Sequence, residues 1–150
     1  MLRRTISNLF RKIATGPQHE TQAQARHLRS GSEAEQYATG YLQQQGCEII
    51  EQNYNSRFGE LDIVCLTGSA RRTLAVVEVR YRQSKAYGGA AATVGKTKQQ
   101  RIIRTASLWL QQNRRYKDYP LRFDVITLSG SLDTPELCWL KNAFSCDGVI

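Results

Sequence analysis

The hydrophobic pattern beyond residue 31 predicts two helices and five strands. In two stretches apolar residues recur three and four positions apart, which is typical of amphipathic helices. The first helix is expected to begin at Ser32, the N-cap of a capping box closed by Glu35, and to end at Gly46. The apolar stripe of this helix consists of Ala34, Ala38, Tyr41 and Leu42. A second helix is predicted at residues 97–112, with an apolar stripe of Ile102, Ile103, Ala106, Trp109 and Leu110.

Runs of β-forming residues predict five strands. Turn sequences separate the first three runs, which favours an antiparallel meander, and a small-residue loop at Gly88-Gly89 leads into the second helix. The resulting order α-β-β-β-α-β-β is typical of a single α/β domain. The five predicted strands are residues 47–54, 60–66, 73–81, 121–128 and 137–140.

Residues 1–30 are predicted to form a basic N-terminal arm outside the domain of residues 31–150. Between residues 2 and 14, apolar side chains recur at helical spacing among Arg and Lys, which indicates a short basic amphipathic helix. Residues 15–29 offer no apolar face and predict a flexible linker. Such an arm would contact nucleic acid or a membrane surface, or have no specific role.

The positive charge of the chain is concentrated in one block. The sequence has 21 Lys and Arg against 13 Asp and Glu, and Glu78 is the single acid within residues 71–117, which hold twelve basic residues. A concentrated field of this kind attracts polyanions, nucleic acid above all, although an ordinary solvated surface is the alternative. The basic residues expected to contact phosphate are Arg82, Lys96, Lys98 and Arg101.

Histidine and cysteine chemistry is not indicated within the domain. Both histidines precede residue 31, which leaves no histidine for a Ser-His or Cys-His relay. The four cysteines lack the paired spacing of a zinc site, and Cys65 and Cys138 lie in apolar strand-like runs, so reduced core thiols are expected. No apolar run has the length of a membrane span, and a cytoplasmic protein is predicted.

Acidic residues occur on strand-like segments where acids are normally excluded. Glu78 lies within a run of β-formers that looks buried on both faces, where an unpaired carboxylate would cost several kcal/mol. By strand alternation Glu78 shares a face with Arg80, and Glu60 shares a face with Asp62 on the preceding strand. A divalent-metal site explains this set, and a structural ion pair is the alternative.

Six ordered segments resemble the YraN family, also called UPF0102. The resemblance implies a restriction-endonuclease-like α/β fold, an αβββαβ core with a mixed central sheet flanked by helices, similar to archaeal Holliday-junction resolvases. It also implies an acid on the first helix, an acid on the second strand and an E-x-K pair on the third. By position these catalytic roles fall on Glu35, Asp62, and Glu78 with Arg80. The segments are EQYATGYLQQQG at 35–46, GELDIV at 59–64, VVEVRYR at 76–82, YGGAAATV at 87–94, RFDVI at 122–126 and KNAF at 141–144.

The expected chemistry is phosphodiester hydrolysis with Mg²⁺ or Mn²⁺. Asp62 and Glu78 are the expected direct ligands, and Glu35 is either a further ligand or only a capping-box acid. Glu60 is either a supporting ligand or an exposed turn residue. Arginine replaces the motif lysine at position 80, and it stabilises charge on a phosphate but cannot act as a general base.

Two functional hypotheses remain open at this stage. The first is a metal-dependent DNA endonuclease, with branched DNA among its possible substrates and a homodimer suggested by the similar resolvases. The second is a nuclease-fold protein that only binds nucleic acid or a partner protein, which the arginine at position 80 favours. Asp124, in an apolar strand beside Arg122, is interpreted as structural.

Overall fold

The computed structural model describes residues 18–84 and 94–147. The predicted order of two helices and five strands is confirmed, with one short 3₁₀ turn at Arg114–Tyr116 after the second helix. The predicted helix at residues 2–14 and the Gly88-Gly89 loop lie outside the described residues. The elements are α1 (Gln18–Gln44), β1 (Glu48–Ser56), β2 (Gly59–Thr67), β3 (Thr73–Arg82), α2 (Lys96–Gln112), β4 (Leu121–Ser129) and β5 (Glu136–Phe144).

The described strands form one mixed sheet in the order β1-β2-β3-β4-β5. Strands β1, β2 and β3 are the predicted antiparallel meander, β4 runs parallel to β3, and β5 pairs antiparallel with β4. The parallel pair requires a crossover, and α2 lies in that connection. The α/β class and the αβββαβ core with its mixed sheet are therefore confirmed.

Each helix covers one face of the sheet with the stripe that its periodicity predicts. Ala34, Ala38 and Leu42 of α1 are buried against Ile63 and Val77. On the other face, α2 packs its apolar residues, Trp109 the largest of them, against strand residues that include Leu61 and Phe123. The central strand β3 is thus buried on both sides, and its residues 74–78 are all buried, as the apolar run predicts.

Helix α1 begins earlier than the hydrophobic pattern predicts. It starts at Gln18, so Ser32 lies in the helix interior and is not an N-cap, and the predicted flexible linker is helical from residue 18 onward. Gln, Ala, Glu and Arg dominate residues 18–29 and have high helix propensity, which an analysis of apolar periodicity does not register. The predicted C-terminal end is correct, since Gly46 has a positive φ of 80° and donates to the carbonyl of Gln43.

The cysteines are free thiols, but they are not all core residues. Cys47 and Cys65 are buried as expected. Cys138 is exposed, so its assignment to the core was wrong: it lies on β5, which is an edge strand of the sheet. Within the described ranges, neither helix combines the length and apolar character required to cross a membrane.

Asp124 is structural, as expected, and its carboxylate is fully satisfied. It is 0% exposed and accepts two hydrogen bonds from Arg122, at 2.7 Å from Nε and 2.9 Å from the guanidinium terminus. The indole N–H of Trp139 and the backbone N–H of Asn142 donate to the same carboxylate, at 3.0 and 2.9 Å. The bonds from Trp139 and Asn142 tie β5 to β4, and the four bonds together leave Asp124 no free oxygen for a ligand.

Replacing Arg122 with leucine should strongly destabilise the fold, because it leaves a buried carboxylate without its cation. We expect the free energy of unfolding, measured by urea denaturation, to fall by about 3 to 5 kcal/mol. The control is Arg72→Leu, which breaks the exposed ion pair with Glu48 and should have little effect. Equal losses in the two variants would contradict a structural role for the buried pair.

Candidate metal centre

The β2–β3 ladder ends where the two acidic motifs meet. The last paired residues are Ile63 and Val77, so the next two positions place Asp62 opposite Glu78. There the strands separate, and the backbone N–H of Val79 donates to the carboxylate of Asp62 at 2.8 Å in place of a strand carbonyl. The pairing of β2 with β3 thus brings both acids to one point, at the end of the sheet where these two strands separate.

Asp62 and Glu78 are buried and in contact. Each is 8% exposed, and the pKa of each depends on the carboxyl of the other, which indicates that the two side chains lie side by side. Burial, together with the adjacent Asp62 carboxylate, raises the pKa of Glu78 to about 7. Burial likewise raises the pKa of Asp62, although the Val79 N–H partly opposes this rise. The pair resists double ionisation when no cation lies beside it.

The cation nearest to this pair is Lys98 of α2. Its Nζ lies 3.4 Å from Glu78 Oε1, and its charge lowers the pKa of both acids against the effect of burial. The sequence indicated that a cation must face Glu78, either Arg80 or another basic residue, but it assigned Lys98 to phosphate contact and not to this pairing. Arg80 has a weaker influence on Glu78 than Lys98 has. The i, i+3 spacing of α2 does not reveal which flank of the helix faces β3, so sequence reasoning missed this pair.

Glu35 approaches Asp62 from helix α1. Its position inside α1 rules out the capping-box role, because no helix begins at Ser32. Burial raises the pKa of Glu35, with added rises from Asp62 and Glu60, while a hydrogen bond from the Asn53 side chain opposes them. A groove of about 100 Å³ joins Glu35, Asn53 and Asp62. Glu35 therefore lies close to Asp62 on the α1 side of the sheet.

Asn53 is a residue of this site that sequence reasoning missed. It lies opposite Asp62 on β1, where the pairs on either side are Gln52–Ile63 and Tyr54–Leu61. Its φ of 53° is in the left-handed region, which asparagine tolerates better than most residues. The available signal was an asparagine inside a strand, where this residue is depleted. Its unusual backbone conformation at the point of strand separation positions the amide that contacts Glu35.

Glu60 and Arg101 lie at the mouth of the site. Glu60 is exposed and lines a groove of about 230 Å³ with Lys98 and Arg101. Lys96 is exposed at the first turn of α2, and it is not among the residues that line this groove. Arg82 is exposed at the end of β3 and lines a different groove, beside α1. The predicted phosphate contacts therefore fall on separate surfaces around the acids.

The two carboxylates suit a hard divalent cation. Among residues 18–84 and 94–147, no three acidic, histidine or cysteine side chains are close enough to form a ready-made metal cage. The contacting pair, however, needs a proton and Lys98 to offset its charge, and a divalent cation would neutralise that same charge through oxygen ligands. Asp62 and Glu78 fit such an ion, and Glu35 is the nearby acid on the α1 side.

Replacing Glu78 with glutamine should stabilise the metal-free protein above neutral pH. Folded Glu78 keeps its proton up to about pH 7, whereas an unfolded glutamate loses it near 4.5. The unfolded state therefore binds fewer protons over this interval, and the unfolding free energy falls as pH rises through it. We expect Glu78→Gln to remove this slope and to gain up to about 3 kcal/mol at pH 8, measured by urea denaturation in EDTA. A wild-type slope that persists in the variant would contradict the assignment.

Comparison with known proteins places these residues within one family. The model of the uncharacterised protein family UPF0102 matches residues 34–128, which include the described acids and Lys98. A UPF0102 protein of Pseudomonas syringae pv. tomato is 46% identical over 121 residues, covering 77% of this chain and 92% of that protein. UPF0102 proteins of Pseudomonas putida and Nitrosomonas europaea are 42% and 44% identical, over 83% and 76% of this chain and 98% and 92% of those proteins. None of these names states an activity.

Proposed function

The chain belongs to the uncharacterised protein family UPF0102, and we propose that it is a Mg²⁺- or Mn²⁺-dependent endonuclease that hydrolyses phosphodiester bonds in nucleic acid. The observation that supports this most strongly is the buried contact between Asp62 and Glu78 where β2 and β3 separate, with Lys98 beside it. A purely structural pair would be expected to have matched charges, as Arg122 and Asp124 have. Here two like charges are held together beside open grooves.

In the proposed mechanism, each side chain has a separate task. Asp62 and Glu78 would hold the cation, and Glu35, oriented by Asn53, would orient water or a further ligand from the α1 side. A bound divalent cation supplies Lewis-acid chemistry, polarising the phosphate and acidifying water. Lys98, released from Glu78, and Arg80 would neutralise the charge that develops on the reacting phosphate.

The second candidate function is nucleic-acid binding without cleavage. It is favoured by Arg80 in the position where the motif has lysine, and by the direct Lys98–Glu78 ion pair, which competes with a metal for the same carboxylate. The two candidates share the basic surface and differ in whether the acids bind a cation. DNA is the first substrate to test for both, in duplex, flap and four-way-junction form.

Cleavage of labelled DNA should require both acids and a divalent cation. We expect Asp62→Asn and Glu78→Gln each to lower the rate about 100-fold or more, because groups that offset transition-state charge have effects of this size. The measurement is a time course with each DNA form in Mg²⁺, Mn²⁺ or EDTA, followed on denaturing gels.

The matched control is a variant that loses one aspartate and one glutamate elsewhere, Asp118→Asn with Glu48→Gln. Both residues are exposed and line none of the grooves beside the acidic pair, so the cleavage rate should change less than about threefold. Binding without cutting in every metal would reject the nuclease and favour the second candidate.

Metal binding should be detectable without any substrate. Mg²⁺ or Mn²⁺ at ten times its Kd should stabilise the fold by about 1.4 kcal/mol, a rise of roughly 3 to 6 °C in Tm. The rise should be larger at pH 8 than at pH 6, because a proton on Glu78 competes with the cation. Thermal denaturation of wild type and Glu78→Gln tests this, and equal shifts in the two proteins would place the metal elsewhere.

A further inference from the structure

Helix α1 projects beyond the sheet and forms a groove with the end of β3. The side chains of residues 22–29 are all exposed, so this half of α1 has no apolar partner among the described residues. The groove has a volume of about 780 Å³. Its lining residues are Ala23, Arg26, His27, Ser30 and Gly31 on α1, and Tyr81, Arg82, Gln83 and Ser84 at and after the end of β3.

The floor of this groove is fixed by the sheet. The hydroxyl of Tyr81 donates to the carbonyl of Gly130 at 2.9 Å, and the N–H of Gly130 donates to the carbonyl of Arg82 at 3.1 Å. Arg82 follows Glu78 by four residues, which is about 13 Å along a strand. The groove therefore begins within two or three nucleotide lengths of the acidic pair.

The chemistry of the lining favours a polyanion. Arg26 and Arg82 are exposed on opposite walls, His27 lies beside Arg26, and none of the described lining residues is acidic. Gly31 lies inside the helix, where glycine costs about 1 kcal/mol relative to alanine, and a Cβ there would meet nothing within 4 Å. Glycine at this position leaves room in the groove for a sugar-phosphate backbone.

A second groove, lined by two cations and by Glu60, lies on the opposite face of the sheet. Lys98 and Arg101 line it on the α2 side, whereas Arg26 and Arg82 lie on the α1 side. The acidic pair lies between the two grooves, where β2 and β3 separate. A nucleic-acid strand that crosses the sheet where β2 and β3 separate would contact cations on both sides of the acids.

We propose that the α1–β3 groove binds the phosphate backbone of a nucleic acid whose chain continues across Asp62 and Glu78 into the α2-side groove. The inference rests on the proposed function in that the polyanion is taken to be the substrate of the acidic site. It goes further in assigning a second backbone-binding surface, on the α1 side of the sheet. With backbone held on both sides, the phosphodiester at the acids lies inside a polymer and not at its end.

The test is binding of fluorescent duplex DNA, and of RNA of the same sequence, in EDTA across a series of salt concentrations. Arg26→Gln with Arg82→Gln should weaken binding about tenfold or more and flatten the salt dependence by about two units of slope. The control Arg114→Gln with Lys117→Gln removes the same charge from the far end of α2, where both residues line another groove, and should leave the slope unchanged.

A steric pair of variants separates groove blockage from loss of stability. Gly31→Leu places a bulky side chain in the groove while improving helix propensity, so binding should weaken about tenfold with no fall in Tm. Gly40→Leu makes the same change on α1 outside the groove, also with open space around the new Cβ, and should bind within twofold of wild type.

Equal behaviour of the groove variants and their controls, or no binding of either nucleic acid by wild type, would overturn the inference. Failure of the nuclease proposal gives a different result. In that case wild type binds in EDTA, the groove variants lose binding, and no metal produces cleavage. The groove assignment then stands as a binding surface.

Discussion

The buried contact between two carboxylates is the constraint on which the site depends. Asp62 and Glu78 lie where β2 and β3 separate, and a side-chain oxygen of Asp62 replaces the ladder partner of the Val79 N–H. This substitution satisfies the backbone but leaves two like charges in a poorly solvated place. One proton and the ammonium of Lys98 offset them, with 3.4 Å between Nζ and Glu78. In the proposed function, a metal ion takes over from the proton and Lys98 in balancing this charge.

Two of the three buried acids among the described strands, Asp124 and Glu78, illustrate different ways of compensating a buried charge. Asp124 receives four hydrogen bonds, two of them from Arg122, and joins the edge strand to β4. Glu78 has one cation at a longer distance and a neighbour of the same sign. A buried charge that is fully compensated stabilises a fold. A buried charge that is only partly compensated, beside an open groove, costs stability and is typical of sites that bind ligands.

Much of the fold could be predicted because it follows from local periodicity. The five strands, the meander and the buried stripes of both helices follow from alternation of apolar residues, and these are confirmed. The start of α1 was missed because residues 18–29 are helical without an apolar face, so propensity and not burial defines them. Cys138 was misassigned because an apolar run does not show whether a strand lies at the centre or at the edge of a sheet.

The meeting of Asp62 and Glu78 was predictable from strand alternation, whereas the partners from other elements were not. Lys98 and Asn53 reach the acids through the rotation of α2 and an irregular backbone in β1, neither of which has a local sequence signature. The most direct test of this account is anomalous diffraction from a crystal soaked in Mn²⁺ at pH 8. The account predicts an anomalous peak coordinated by Asp62 and Glu78, with Lys98 Nζ moved away from Glu78. An intact Lys98–Glu78 pair with no peak between the two acids would contradict it.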